Sequence, residues 1–207
     1  MRYWKLFVSA ILGGACIAFG GTAFLSLENK VLGALFFTVG LFTVCTFGLG
    51  LFTGKVCYVF QRDRAYNLGV PVIWLGNLAG TGLVAVLVRM TRLSPALTEK
   101  VAALCQAKLD DGMLSLFVLG ILCNIFIYIG VEGYNKNPHQ VGKYLSLFFG
   151  VMVFILCGFE HCVADMFYFS LAGLWSGDVF LRLLVITAGN TIGGVLFPLV
   201  RGWLERE

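Results

Sequence analysis

Three ionisable side chains, Glu160, His161 and Asp165, fall within the short stretch Gly158-Phe159-Glu160-His161-Cys162-Val163-Ala164-Asp165-Met166. Its flanks, Leu145 to Cys157 and Phe167 to Leu174, carry no charge at all. At membrane depth each such group costs a few kcal/mol unless it faces a cavity or a partner, so the cluster points to a pore or a relay. An imidazole is uncharged near neutral pH and gains a proton with modest help. In a narrow apolar passage it could hydrogen-bond an anion or hand it a proton, and a neutral acid crosses an oily constriction more cheaply than its anion. His161 is therefore expected to line the path of a small anion; the plainer alternative ties its ring to a helix end. Glu160 is expected to be structural, accepting bonds from N–H groups freed at a helix break. Asp165 is expected to cap the half-helix that follows, whose N-terminus itself suits an anion.

The rest of the chain must hold these groups in a membrane. Of 207 residues, 59% are hydrophobic and 13% charged, with a mean hydropathy of +0.89. Soluble domains are about 45–50% apolar and about 25% charged, so the chain reads as an integral membrane protein in a lipid bilayer. Its net charge of +4 is mild and no basic aromatic run accompanies it, so no nucleic-acid partner is expected. The seven cysteines form no C-x-x-C pair and no zinc spacing and read as small buried apolar residues. No Walker A, G-x-S-x-G or H-E-x-x-H motif occurs, so neither an enzyme nor a metal or cofactor is expected. The first apolar run exceeds a signal-peptide core of about 7–15 residues and is read as a span.

A spanning helix needs about 20 apolar residues. Six candidates cover roughly 5–27, 31–60, 68–90, 113–133, 143–174 and 178–204. The second and fifth are too long for one crossing. Each contains a patch unlike a helix core: Gly48-Leu49-Gly50-Leu51-Phe52-Thr53-Gly54-Lys55 in the second and the Glu-His stretch in the fifth. Both are read as broken helices, because non-helical backbone at membrane depth survives only where it is buried in protein or lines water. Leu12-Gly13-x-x-Cys16-x-x-Phe19 recurs as Leu119-Gly120-x-x-Cys123-x-x-Phe126 at an offset of 107. Gly48 matches Gly158 at 110, and Gly76-Asn77-x-x-Gly80 matches Gly189-Asn190-x-x-Gly193 at 113. Three ordered matches argue for a duplicated three-helix unit. An odd number of helices per unit inverts the second copy, and its break then faces the first near the midplane. The expected fold is thus an all-α membrane protein, one transporter domain over 1–207, with repeats of about 5–90 and 113–204.

Thr53 is the hydroxyl at the opposing break; it either donates to the same anion or bonds its own helix. Asn124, alone in an apolar helix, either faces the pore or joins helices, and Asn77 and Asn190 are read as interhelical hydrogen-bonders. Lys108 is placed in the loop before the fourth span, either raising anion concentration at a pore mouth or solvated and paired with Asp110 or Asp111. Arg2, Lys5, Arg62, Arg64, Lys136, Lys143 and Arg206 outnumber Lys30, Arg92, Lys100 and Lys108 on the other side, which favours cytoplasmic termini.

At these residues the chain resembles the formate/nitrite transporter family. That family's fifth-helix break reads close to G-[FY]-E-H-S-[VI]-A-N-M and its second-helix loop close to [DE]-L-F-T; here they are Gly158 to Met166 and Gly50-Leu51-Phe52-Thr53. The resemblance covers essentially the whole chain. It implies an aquaporin-like six-helix protomer, a homopentamer with one pore each, and transport of formate, nitrite, acetate, lactate or hydrosulfide, proton-linked through a central histidine, in a bacterial inner membrane. By motif position it makes His161 the central pore histidine and Thr53 its partner. It makes Asn124 and Asn190 central polar groups and Lys108 the vestibule lysine, and puts Phe37, Leu41 and Phe154 at constrictions. Three positions depart from the pattern. Gly50 replaces the acid, which predicts a looser or differently gated loop, while Cys162 replaces Ser and Asp165 replaces Asn, which predicts altered selectivity. An aquaporin-like pore for neutral solutes is the alternative, opposed by the absence of paired N-P-A loops.

Overall fold

The computed structural model describes residues 2–206; Met1, Glu207 and the side chain of Arg2, one of the flanking cations above, lie outside the described residues. The secondary structure among those residues is helical: α1 (Arg2–Ser26), α2 (Lys30–Phe47), α3 (Phe52–Lys55), a 3-10 turn (Val56–Tyr58), α4 (Arg64–Arg89), α5 (Ser94–Asp110), α6 (Met113–Lys136), α7 (Gln140–Cys157), α8 (Cys162–Ala172) and α9 (Gly177–Leu204). Six of them, α1, α2, α4, α6, α7 and α9, are long and apolar enough to cross a membrane. Many of their large apolar side chains, Phe19, Phe36, Leu75 and Leu83 among them, point outward, as suits a solvent of lipid rather than water.

The two long candidate segments are each divided. α2 starts under Asn29, whose side-chain oxygen accepts the N–H groups of Val31 and Leu32 at 3.0 Å each. It stops where Gly48 takes φ +65°, and α7 stops where Gly158 takes φ +71°. This left-handed backbone carries no steric cost for glycine and ends a helix. The short α3 and the longer α8 follow.

The helix contacts of the first half recur in the second. α1 packs on α4 as α6 packs on α9. A Cβ on Gly80 would lie 2.0 Å from the carbonyl oxygen of Ile11, and one on Gly193 would lie 2.0 Å from that of Ile121. These equivalences corrected the register read from sequence in the first span. Ile11 answers to Ile121 at an offset of 110, so Ala10, not Gly13, stands where Gly120 stands. A slip of three residues is close to one helical turn, so the Leu-Gly-Cys-Phe pattern fits nearly as well either way. Gly193→Ala is expected to force α6 and α9 apart and cost about 1–3 kcal/mol, read as a lower thermal midpoint in detergent. Gly82→Ala, with nothing within 4 Å of its Cβ, is expected to leave it unchanged.

Candidate functional site

Lys108 does not sit in a loop. The segment after the third span forms α5, which opens on Ser94 with Pro95 in its first turn and buries Leu97, Val101 and Cys105 at four-residue spacing. Both signals stand in the sequence. The helix carries Lys108 inward, away from Asp110 and Asp111. Its ammonium lies 2.9 Å from Asp165 Oδ1 and also binds Glu160 Oε2. Burial works against its charge, but the carboxylates of Asp165 and Glu160 outweigh that and hold it well above the ordinary lysine range.

This pairing also corrects the readings of the two acids. Glu160 does not collect freed N–H groups with its carboxylate, which is spent on Lys108. Asp165 does not cap α8. That helix is capped by His161, whose Nδ1 accepts the Ala164 N–H at 3.1 Å. Asp165 Oδ2 is buried without a donor among the described residues.

Two asparagines hold the break loops by the same three hydrogen bonds. Asn190 Oδ1 accepts from the Cys162 N–H (2.9 Å), and its Nδ2 donates to the carbonyls of Gly120 and Glu160 (2.8 Å each). Asn77 Oδ1 accepts from the Phe52 N–H, and its Nδ2 donates to Ala10 and Gly50 (2.8 Å each). Gly50 is further tied by donating its N–H to Ser9 Oγ at 3.0 Å. The loop around Gly50 is therefore anchored on both sides, contrary to the expectation of slackness; Ser9, in the middle of an apolar run, was the overlooked partner. Asn124 joins the two halves. Its Nδ2 donates to the carbonyls of Asn190 (2.7 Å) and Thr53 (3.1 Å), while its Oδ1 has no donor among the described residues.

These anchors bring Thr53 and His161 together, with Thr53 Oγ1 2.9 Å from His161 Nε2. The tautomer follows from the neighbours. Nδ1 accepts a backbone N–H and so carries a lone pair; a neutral ring must then hold its proton on Nε2. Nε2–H donates to Thr53 Oγ1, and the threonine's own hydrogen has no acceptor in the protein among the described residues. Both side chains are buried. Phe154 stacks on the imidazole with centroids 5.6 Å apart, and Phe37 meets Phe154 edge-on at 6.1 Å. Leu41, one turn further along α2 than Phe37, is buried and borders a cavity of about 750 Å³. That cavity opens between the ends of α6 and α9 and is lined by Leu51, Lys55, Tyr58, Glu132 and Arg201, among others. Glu132 was not singled out from sequence, although a carboxylate near the end of an apolar span is a visible signal. It accepts from Tyr58 at 2.6 Å and pairs with Lys136 at 2.6 Å.

Comparison with known proteins agrees with this architecture. The family model described as formate/nitrite transporter matches residues 1–204. The uncharacterised transporter YrhG of Bacillus subtilis is 32% identical, over 93% of this chain and 82% of its own. The nitrite transporter NirC of Salmonella typhimurium is 31% identical, over 98% and 82%. Among solved structures, one described as an FNT family ion channel superposes with a TM-score of 0.87 at 26% identity, over 98% of this chain and 90% of that one. A pentameric formate channel with formate bound gives 0.82 at 24%, over 99% and 98%. With the match spanning all but the last three residues, the chain belongs to the formate/nitrite transporter family.

Proposed function

We propose that this protein conducts small monovalent anions of the formate, nitrite, acetate, lactate or hydrosulfide class through a pore in each protomer, at the level of Thr53 and His161. The observation that carries this reading is the oriented donor chain. The Ala164 N–H donates to Nδ1, Nε2–H to Thr53 Oγ1, and the Thr53 hydroxyl is left to donate to a guest. Such a chain offers a hydrogen bond without a fixed full charge, enough to replace part of an anion's hydration and weak enough to release it. The apolar rings of Phe37 and Phe154 and the side chain of Leu41 flank this point and exclude excess water.

Proton linkage through the imidazole would require Nδ1 to give up the Ala164 N–H, which costs α8 its cap. The pairing favours a ring that stays neutral and polarises the threonine. A proton that crosses with the anion then travels on the anion. The exposed apolar helix faces support assembly into a pentamer like that of the similar formate channel, with the termini on the cytoplasmic face of a bacterial inner membrane.

The test is flux in proteoliposomes for formate, nitrite, acetate, lactate and hydrosulfide, beside swelling in glycerol. Flux of at least one anion well above glycerol permeation is the expected result. Glycerol permeation with no anion flux would instead favour a neutral-solute pore.

A further inference from the structure

The two break loops correspond residue by residue at an offset of 110. Phe52 and Cys162 each donate to an asparagine side-chain oxygen, and Gly50 and Glu160 each accept from the same asparagine's nitrogen. On that register residue 55 answers to residue 165, and the two carry opposite charges, Lys55 against Asp165. Their surroundings are just as unequal. Around Asp165 one ammonium, Lys108, serves two carboxylates, so the fully ionised cluster has an excess of one negative charge. Lys55 has no carboxylate within ion-pairing distance among the described residues.

Lys55 lines the cavity at the ends of α6 and α9 together with Leu41 and Leu51. It lies two residues beyond Thr53. Two other cations of that lining are exposed and already engaged. Lys136 and Arg201 both bind Glu132, at 2.6 and 3.5 Å, and Arg201 also binds Glu205 at 2.6 Å. Arg62 and Arg206 stand at the exposed rim. Lys55, by contrast, is half-buried two residues beyond Thr53.

We propose that Lys55 is an anion-collecting residue of this vestibule, binding a small carboxylate or nitrite one step before Thr53, so that the pore takes up anions more readily from the α9-end face than from the Lys108 face. The inference rests on the anion-pore reading above. A partly enclosed ammonium attracts an anion more strongly than one in bulk water, and a cleft of one sign raises local anion concentration. On the opposite face Asp165 and Glu160 cancel the charge that Lys108 brings.

The test uses the full protein, reconstituted with known orientation, with formate as the probe added to one face at a time. Lys55→Met is expected to raise the half-saturating formate concentration about tenfold on the α9-end face and less than twofold on the other. Lys55→Arg is expected to behave like the unsubstituted protein, and higher ionic strength to shrink the difference. Unsubstituted protein that carries formate while Lys55→Met changes neither face, or both equally, would overturn the role of Lys55 alone. Unsubstituted protein that carries no anion from either face would overturn the pore reading and this inference with it.

Discussion

Thr53→Val is expected to lower anion flux about a hundredfold, the scale set by loss of one oriented donor at a reacting or passing charge. Valine has nearly the shape of threonine, so the packing against His161 persists. What disappears is the hydroxyl that accepts from Nε2–H and offers its own hydrogen outward. The buried Nε2–H is then unpaired, which costs about 1–3 kcal/mol of stability but does not dismantle the helices. Thr53→Ser is expected to keep most of the flux because the hydroxyl remains. His161→Asn is expected to keep the cap on α8, since asparagine is a good N-cap residue, and still lose flux because its side chain is too short to hold Thr53. Formate flux per reconstituted protein checks all three. Thr53→Val protein that conducts as well as the unsubstituted chain would remove the hydroxyl from the account.

Lys108→Met is expected to be the most destabilising single change, by about 3–5 kcal/mol, because it strands two buried carboxylates that share one ammonium. The measurement is a thermal midpoint in detergent. The cause is separable from simple loss of packing. Adding Glu160→Gln and Asp165→Asn to Lys108→Met removes the stranded charges and is expected to recover a large part of the loss. A triple variant no more stable than Lys108→Met would mean that packing of the lysine stem, not charge, holds the cluster.

Much of this arrangement was legible in the residues. The hydropathy of six segments, the glycines at 48 and 158, and the placement of Thr53 and His161 in the two interruptions all follow from period, composition and order. The pairings of Lys108, Glu160 and Asp165 were not legible. They depend on α5, a helix with one modest apolar stripe at Leu97, Val101 and Cys105, between segments so oily that it reads as a loop. Without α5 there is no reason to bring residue 108 to residue 165. The cap of α8 is likewise not the side chain that residue type favours. Asp165 is the better capper by type, but it lies inside α8, and His161 occupies the boundary itself. The first-span register differs for another reason: a glycine-rich helix offers equivalent small faces one turn apart, and contacts in space, of Gly80 and Gly193 with opposing carbonyls and of Asn77 and Asn190 with Ala10 and Gly120, distinguish them.

In the proposed pore an anion meets the Thr53 hydroxyl beside a neutral His161. A high-resolution map of the protein with saturating formate, compared with one without it, tests this most directly. The predicted result is formate density with an oxygen about 2.7–3.0 Å from Thr53 Oγ1, the Ala164 N–H still on His161 Nδ1. Density confined to other places, with Thr53 and His161 closed in dry contact under the same conditions, would contradict it.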